Sequence, residues 1–227
     1  MTEGREKKRI GLFGGSFNPV HIGHLRLCLE MLEQAGMDQV QLVPAHVPPH
    51  KEAEHVLAFD LRRAMLEDSI KGVTGLDINC MERDRPGPSY TYDTLKLYSE
   101  QHPEHDLFFI LGYPDLLTLP KWYRGIELAF VSNLLVVGRE GNQEDFSRVT
   151  ADFWKTRQLD EHLWLVEEGR QVQYHIIPRL DISSSMIRAR WMARKRVDWL
   201  IPVAVHRYLD AYAEEIRTVW GSKHPGL

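Results

Sequence analysis

The sequence predicts an α/β fold built on a parallel sheet with helices on both faces. Short apolar runs alternate with helical patterns along the chain, and this order implies right-handed crossovers between parallel strands. Two of the runs, 107–111 and 134–137, are apolar throughout, as expected of strands that are covered on both sides. No internal repeat or low-complexity linker divides the 227 residues. We therefore expect a single doubly wound, Rossmann-like domain over residues 1–227, with a small helical appendage at about 183–220.

Strand candidates in the first half of the chain lie at 10–13, 40–43 and 76–79. After the first of them, apolar residues at i, i+3, i+4 and i+7 spacing predict a helix, and Gly36 is a natural end for it. The members of this stripe are Leu25, Cys28, Leu29, Leu32 and Ala35. A second helix, after a loop of prolines and histidines at 44–50, is predicted through Leu61, Met65 and Leu66.

The second half continues the alternation of helices and strands. A helix is predicted over 91–100, before the two apolar strands, and a last strand is predicted at 172–177. Residues 141–172 are polar and poorly patterned, so they receive no assignment. A basic helix at 183–194 follows. A final amphipathic helix opens at Pro202, because proline is favoured in the first turn of a helix.

Composition and charge exclude several classes of protein. The 28 basic and 32 acidic residues give a formal charge of −4, so the whole molecule offers no basic surface that would coat nucleic acid. Cys28 and Cys80 lack the paired spacing of a disulfide framework or a zinc knuckle. Neither a secretory signal nor a membrane-spanning segment is recognisable. We expect a cytoplasmic protein that binds neither nucleic acid nor membranes.

The most informative segment follows the first strand directly and leads into the first helix. It begins with Gly14 and Gly15, which let backbone amides approach a phosphate, and it ends with His21 and His24, about one helical turn apart. Together with the unpaired N–H groups of a helix N-terminus, these residues predict an anion site with imidazole donors. The alternative is a plain turn whose histidines cap the helix or pack in the core. A metal site is disfavoured, because no cysteine or carboxylate at ligand spacing accompanies the histidines.

Five segments, in order along the chain, resemble motifs of a known enzyme family. Gly-Gly-Ser-Phe-Asn-Pro-Val-His-Ile-Gly-His at 14–24 is similar to the signature of the nucleotidyltransferases related to class I aminoacyl-tRNA synthetases. Four further segments narrow the resemblance to bacterial nicotinate-nucleotide adenylyltransferases: Val-Pro-Pro-His-Lys at 47–51, Pro-Ser-Tyr-Thr at 88–91, the stretch from Gly112 through Leu-Pro-Lys-Trp-Tyr at 119–123, and Ile-Ser-Ser-Ser-Met-Ile-Arg at 182–188. All but the Pro-Ser-Tyr-Thr segment follow closely on a predicted strand, so the motifs would gather at one edge of the sheet.

The resemblance implies transfer of AMP from ATP to nicotinate mononucleotide, with deamido-NAD and pyrophosphate as products. The 5′-phosphate of the mononucleotide is the nucleophile, so the protein has to position phosphates and neutralise charge. Mg²⁺ is expected to arrive with the triphosphate rather than in a protein cage. By family correspondence the catalytic residues are His21, His24 and Arg188, and ATP is bound by Gly14, Gly15, Phe17, Gly23, Gly112, Asp115, Ile182, Ser183 and Ser184.

The same correspondence assigns the mononucleotide site. Ser16 and Lys51 would hold its phosphate, Trp122 would stack on the nicotinate ring, and the backbone around Tyr90 and Thr91 would bind its carboxylate. The alternatives are core packing for Trp122 and a solvated loop position for Lys51.

The chain departs from the family pattern in two places. The family usually shows Gly-x-Asp after the fourth strand, with the aspartate on the adenosine ribose, whereas this chain has Gly-Tyr-Pro-Asp at 112–115. Either Pro114 reshapes the turn so that Asp115 reaches the ribose, or that contact is lost. Asn18 before Pro19, in place of the commoner aspartate, is a milder change.

Charge is expected to be concentrated near the C-terminal motif. Five basic residues and no acidic one lie between Ser183 and Arg196, and with Lys51 and the two histidines they predict a locally positive pocket. The alternative for Arg188 is one charge among several on a solvated helix face. Two other functions also remain: a sister adenylyltransferase acting on nicotinamide mononucleotide or phosphopantetheine, and a non-catalytic nucleotide-binding module. The sequence leaves the oligomeric state open, a homo-oligomer included.

Overall fold

A mainly parallel sheet forms the centre of the molecule. The computed structural model describes residues 7–49, 55–140, 143–166, 169–178 and 180–221. The sheet consists of β1 (Lys8–Gly15), β2 (Gln39–Pro44), β3 (Leu76–Ile78), β4 (His105–Gly112), β5 (Asn133–Gly138), β6 (Arg157–Gln158), β7 (Leu163–Leu165) and β8 (Gln171–Ile176). Its spatial order is β3-β2-β1-β4-β5-β8-β7-β6, with the last two strands antiparallel to their neighbours.

Helices cover both faces of this sheet. They are α1 (Ile22–Gln34), α2 (Phe59–Ile70), α3 (Thr91–Gln101), α4 (Tyr113–Thr118), α5 (Leu128–Val131), α6 (Gln143–Phe153), α7 (Ser184–Met192), α8 (Val203–Ala211) and α9 (Ala213–Gly221). None of the helices in the described ranges is long and apolar enough to cross a membrane.

The apolar strands divide their side chains between two hydrophobic cores, as their sequence predicts. On β4, Phe108 packs with the core under α1, α2 and α7–α9, and Phe109 packs with the core under α3–α6. On β5, Leu135 and Val136 divide in the same way. Successive side chains of a strand point to opposite faces, so a strand that is apolar throughout must be covered twice. The predicted doubly wound architecture is confirmed.

Two features of the chain differ from the sequence-based expectations. The unassigned region contains α6 and the β6–β7 hairpin, which fold around Phe146, Trp154 and Trp164, all at most 3% exposed. Phe146, Val149 and Phe153 are spaced as one face of a helix, a signal that the sequence analysis overlooked. The two short strands instead depend on the long-range packing of Trp164 against Phe146. The single final helix is wrong: Tyr212 has φ −112° and ψ 27°, outside the helical range, and the chain breaks there into α8 and α9.

Candidate active site

A cavity of about 730 Å³ opens at the carboxyl ends of β1, β2 and β4, beside the point where strand order reverses. Ligands bind at this place in doubly wound sheets, and the volume suits a small-molecule site. All five sequence motifs contribute to its lining. The predicted site residues that line it are Gly14, Gly15, Ser16, Phe17, His21, His24, Tyr90, Thr91, Gly112, Asp115, Trp122, Ile182, Ser183 and Ser184.

Three predicted site residues are not among those that line the cavity. Gly23 lies beside His21, where a Cβ atom would come within 3.1 Å of the His21 Nδ1 atom, so glycine leaves room for that ring. Arg188 lies within α7, and its guanidinium contacts the loop between β1 and α1. Lys51 falls outside the described residues.

His21 and His24 hold each other in place through the backbone. The amide of His24 donates to Nδ1 of His21 at 3.3 Å, and the amide of His21 donates to Nδ1 of His24 at 3.2 Å. The two rings are stacked with their centroids 3.5 Å apart. Because each Nδ1 accepts a hydrogen bond, the proton of each neutral ring resides on Nε2. The pair therefore forms two fixed Nε2–H donors at the N-terminus of α1.

Burial keeps His21 neutral. The ring is 5% exposed, and desolvation lowers its pKa to about 4. At neutral pH it is a hydrogen-bond donor without a net charge. The alternative that the histidines cap the helix is correct for their Nδ1 atoms, since His21 is the N-cap residue of α1. Capping of the helix uses Nδ1 of His21, so its Nε2 atom can still bind a ligand.

A second helix N-terminus reaches the same cavity. Ser183 caps α7 by accepting a hydrogen bond from the amide of Met186 at 3.2 Å. The hydroxyl of Ser184 donates to the carbonyl of Pro19 at 2.9 Å, which ties the start of α7 to the loop after β1. Both hydroxyls are thus used within the protein. The remaining first-turn amides of α7 are the groups that an anion would bind.

Arg188 and Asn18 join α7 to the loop between β1 and α1. The Arg188 guanidinium donates to the carbonyl of Asn18 at 2.8 Å, and its partial burial lowers its pKa. The Asn18 side chain accepts from the amide of Leu57 and from the indole of Trp220, and it donates to the carbonyl of His55 at 2.8 Å. An ionised aspartate could not donate this last bond, which explains asparagine at this position.

Aromatic residues form the opposite side of the cavity. Trp122 lines the cavity, and its indole nitrogen donates to the Thr118 hydroxyl at 3.1 Å, so the ring is held by its edge. The ring centroids of Tyr90 and Tyr123 are 4.5 Å apart. Tyr123 was missed by the sequence analysis, although it directly follows Trp122 in the same motif. Core packing alone does not account for Trp122.

Asp115 reaches the cavity despite the displaced motif. Helix α4 begins at Tyr113, directly after Gly112, and has Pro114 in its first turn. Both Pro114 and Asp115 line the cavity. The Asp115 carboxylate accepts a hydrogen bond from the Gly112 amide, while desolvation by the surrounding protein raises its pKa. The turn that Pro114 forms therefore brings a carboxyl group to the cavity.

Arg62 is a buried residue that the sequence analysis missed. It is 1% exposed, and its guanidinium donates to the carbonyls of Leu57, Ser16 and Ala45, each at 2.8 Å. Burial lowers its pKa to about 10, opposed by the charge of Glu82, so it remains a cation at neutral pH. It ties the loop after β1 to the loop after β2. In the sequence, Arg62 occupies a polar position of α2 that nothing distinguishes from an exposed arginine.

Ser89 and Glu82 complete the support of the aromatic side. The Ser89 hydroxyl accepts hydrogen bonds from the amides of His46 and Val47, at 3.0 and 3.1 Å. Glu82 is 7% exposed, lines the cavity and accepts from the Thr94 hydroxyl at 2.6 Å. Ser89 belongs to the Pro-Ser-Tyr-Thr motif, so the motif itself was the available signal for it.

The prediction that the basic residues after Ser183 form a positive pocket is wrong for the described residues. No lysine or arginine lines the cavity there. Arg190 donates to the carbonyl of Arg196, and Arg196 pairs with Asp198 at 2.9 Å, away from the cavity. Positive potential comes instead from two helix N-termini and from Arg62 and Arg188 behind the lining. Charge density along the sequence did not reveal which way these side chains point.

Comparison with known proteins identifies the family. The family model described as cytidylyltransferase-like matches residues 12–190. Nicotinate-nucleotide adenylyltransferase of Bacillus subtilis is 34% identical over 203 residues, covering 89% of this chain and 96% of that protein. The chain belongs to the nicotinate-nucleotide adenylyltransferase family. A probable member from Pseudomonas fluorescens is 37% identical over 206 residues, covering 90% of this chain and 96% of its own length.

A solved structure agrees with the fold of this adenylyltransferase. The nicotinic acid mononucleotide adenylyltransferase of Plasmodium falciparum, solved with NaAD, superposes with a TM-score of 0.71 over 90% of this chain and 96% of that chain. The sequence identity is 20%, so the likeness concerns the fold. The predicted α/β architecture and the predicted family are both confirmed.

Proposed function

We propose that this adenylyltransferase transfers the adenylyl group of ATP to nicotinate mononucleotide, releasing pyrophosphate and forming deamido-NAD for NAD biosynthesis. One observation carries the proposal: a single cavity holds the fixed imidazole donors of His21 and His24 on one side and the aromatic group of Tyr90, Trp122 and Tyr123 on the other. The first suits a polyphosphate and the second suits a flat ring. Membership of the family supports the same pairing of substrates.

The histidine side is proposed to bind the ATP phosphates. The Nε2–H groups of His21 and His24 donate to phosphate oxygens, and His24 stabilises the charge that develops as the phosphate bond breaks. The first-turn amides of α7, with Ile182, Ser183 and Ser184, bind the outgoing pyrophosphate. Arg188 acts behind them, through the Asn18 carbonyl that it holds. Donors fixed before the substrate binds need no reorganisation during the reaction.

The remaining residues are assigned by the family motifs and, except for Lys51, by their position at or beside the cavity. The amides of Gly14, Gly15 and Phe17 lie beside the phosphates, Gly23 leaves room for the ring of His21, and Gly112 and Asp115 bind the adenosine ribose. On the mononucleotide side, Ser16 and Lys51 bind the phosphate, Trp122 stacks on the pyridine ring, and Tyr90 and Thr91 bind its carboxylate. Orientation of two bound reactants can supply roughly 7–11 kcal/mol of the barrier reduction.

Mg²⁺ enters in this proposal as part of the substrate Mg-ATP. Among the residues that the structure describes, the carboxyl groups that line the cavity are Asp115 and Glu82, and Glu82 accepts a hydrogen bond from Thr94. Mg²⁺ is commonly bound by substrate phosphates, water and one or two carboxylates, so these two groups are compatible with an ion that arrives with the triphosphate. We further propose that the whole chain acts as one cytoplasmic domain without nucleic-acid or membrane partners. The shared core of α1, α2 and α7–α9 supports the single domain.

Substrate choice is tested by pyrophosphate release from Mg-ATP with three acceptors in parallel: nicotinate mononucleotide, nicotinamide mononucleotide and phosphopantetheine. We expect the highest kcat/KM with nicotinate mononucleotide. Equal or faster turnover with either other acceptor would replace the substrate assignment. No turnover with any of the three would favour a non-catalytic nucleotide-binding module.

A further inference from the structure

Two histidines and a glutamate meet at the opposite edge of the sheet from the cavity. His102 follows the last residue of α3, and His105 is the first residue of β4, paired with Lys8 of β1. A tight turn joins them, since the amide of His105 donates to the carbonyl of His102 at 3.1 Å. Glu104 lies within that turn. The three side chains are therefore carried by a short backbone segment that a helix end and a sheet hold on either side.

The ligand atoms of the three side chains lie close together, and the rings of His102 and His105 are stacked with their centroids 5.0 Å apart. Nδ1 of His102 lies 3.3 Å from Oε1 of Glu104, and Nε2 of His105 lies 3.5 Å from the same oxygen. All three atoms are within 4.8 Å of one another. A zinc ion with bonds of about 2.0–2.1 Å separates its tetrahedral ligands by about 3.3 Å. The two nitrogen–oxygen separations are close to this value. The exposed ring of His102 has to turn out of its stack on His105 for both imidazole nitrogens to point at one ion.

Tyr98 orients the imidazole of His105. Its hydroxyl lies 3.1 Å from Nδ1 of His105, and the tyrosine itself is 1% exposed. Metal binding requires Nδ1–H of His105 to donate to this hydroxyl oxygen, which leaves Nε2 without a proton and available for coordination. Such a partner on the second nitrogen is the usual companion of a metal-binding histidine, because it fixes the ring and its tautomer. A simple ion pair between histidine and glutamate has no need of it.

We propose that His102, Glu104 and His105 bind a divalent transition-metal ion of the zinc class, with water in the fourth position. Imidazole nitrogens favour such ions, whereas Mg²⁺ prefers an all-oxygen octahedron. Among the residues that the structure describes, this is the one group of three with such geometry. The ion joins the C-terminus of α3 to the start of β4 and so stabilises the fold.

The proposed ion is distinct from the magnesium of the nucleotide. His105 and Gly112 are the two ends of β4, and seven residue steps of about 3.3 Å place them about 23 Å apart. Gly112 lines the catalytic cavity, so the metal site lies at the far end of the same strand. The proposal therefore does not depend on the proposed reaction.

The proposal is tested on the full chain after its metal has been removed with a chelator. Calorimetric titration measures zinc binding, and thermal unfolding with and without zinc measures the effect on stability. The double variant His102→Asn, Glu104→Gln removes two ligands whose side chains are 39% and 62% exposed, so its fold should persist. The matched control, Glu161→Gln with His162→Asn, alters another surface pair, whose atoms are 3.4 Å apart. Histidines elsewhere, including His21 and His24, are common to all three proteins.

We expect the wild-type chain and the control to bind one more zinc ion than the double variant, and zinc to raise the unfolding midpoint in the first two alone. Tyr98→Phe, which keeps the ligands, should weaken this binding about 10–100-fold. Equal zinc stoichiometry and equal midpoint shifts in the double variant would overturn the site. An equal midpoint shift with Mg²⁺ would overturn the class of ion.

Discussion

The two sides of the catalytic cavity are organised over different distances in the sequence. The histidine side consists of residues 14–24. Here His21 and His24 hold each other in place through hydrogen bonds, and they are only three residues apart in the sequence. The aromatic side consists of residues 45–49, 82–94 and 118–123. Here the loop after β2 is held by Ser89, which lies more than forty positions away in the sequence. Arg62 spans both sides. The imidazole hydrogen-bond donors are therefore positioned by contacts between residues close in sequence. The distance between the two substrates is set by buried contacts between residues far apart in sequence.

Loss of the residue that spans both sides should have the largest effect. Arg62→Met leaves the carbonyls of Leu57, Ser16 and Ala45 without their donor, so we expect the free energy of unfolding to fall by about 3–5 kcal/mol. Urea unfolding measures it. The matched control is Arg63→Met, whose guanidinium pairs with Glu67 at the surface and should cost less than about 1 kcal/mol. Equal losses of unfolding free energy in the two variants would contradict the role of Arg62 in joining the two sides of the cavity.

On the histidine side, His24→Ala should act on catalysis and leave the fold intact. Removing one charge-stabilising donor costs about 10²–10³-fold, and we expect this loss in kcat/KM for both substrates. Steady-state pyrophosphate release measures it, with the exposed His162→Ala as the control that keeps full activity. A loss below threefold would refute the role of His24.

The neutrality of His21 predicts a dependence of stability on pH. Its pKa is about 4 in the folded chain against 6.5 for a free imidazole, so between these values the unfolded chain binds a proton that the folded chain does not. Stability is therefore fully present above pH 6.5 and is lost as pH falls towards 4, on the order of 1–3 kcal/mol.

His21→Asn isolates this effect, because asparagine keeps the helix cap and removes the titrating group. Urea unfolding at pH 7, 5.5 and 4 should show a shallower acid loss than in the wild-type chain. His175 also has a pKa of about 4 through burial, so some acid loss should persist. The charge of His162 helps to lower the pKa of His175, so His162→Asn should reduce the acid loss slightly and measures that contribution. An unchanged pH dependence in His21→Asn would contradict a buried neutral imidazole.

The smallest effect is expected on the aromatic side. Ser89→Ala removes the acceptor of the His46 and Val47 amides and loosens the loop beside the mononucleotide. We expect binding of nicotinate mononucleotide to weaken by about 1 kcal/mol, which is about a fivefold rise in its KM. KM for ATP should stay within twofold. Ser69→Ala, whose hydroxyl bonds only the Met65 carbonyl within α2, is the control. A rise in KM for ATP alone would show that Ser89 supports the other side of the cavity.

The sequence predicted the histidine side better than the aromatic side for the same physical reason. Adjacent glycines, a helix start and two histidines one turn apart form a local pattern that single-sequence analysis can detect. Arg62 and Glu82 act through contacts between distant segments, and their polar neighbours conceal their burial. The basic residues after Ser183 wrongly predicted a positive cavity lining, because the density of charge along a sequence contains no information about side-chain direction.

The fold divides in the same manner. Strands covered on both faces, such as β4 and β5, follow from their unbroken apolar runs. The hairpin of β6 and β7 has two- and three-residue strands, too short for any period to appear, and it depends on the packing of Trp164 against Phe146, with ring centroids 4.7 Å apart. Local periodicity therefore predicts the core sheet and misses elements that tertiary packing alone supports.

The central claim is that one cavity joins ATP to nicotinate mononucleotide by attack on the α-phosphorus. Its most direct test is product analysis with ATP labelled at the α-phosphate, incubated with Mg²⁺, nicotinate mononucleotide and the full chain. We predict that the label appears in a dinucleotide, deamido-NAD, with one unlabelled pyrophosphate released per molecule formed. Label recovered in ADP or free AMP, or recovered unchanged in ATP, would contradict the claim.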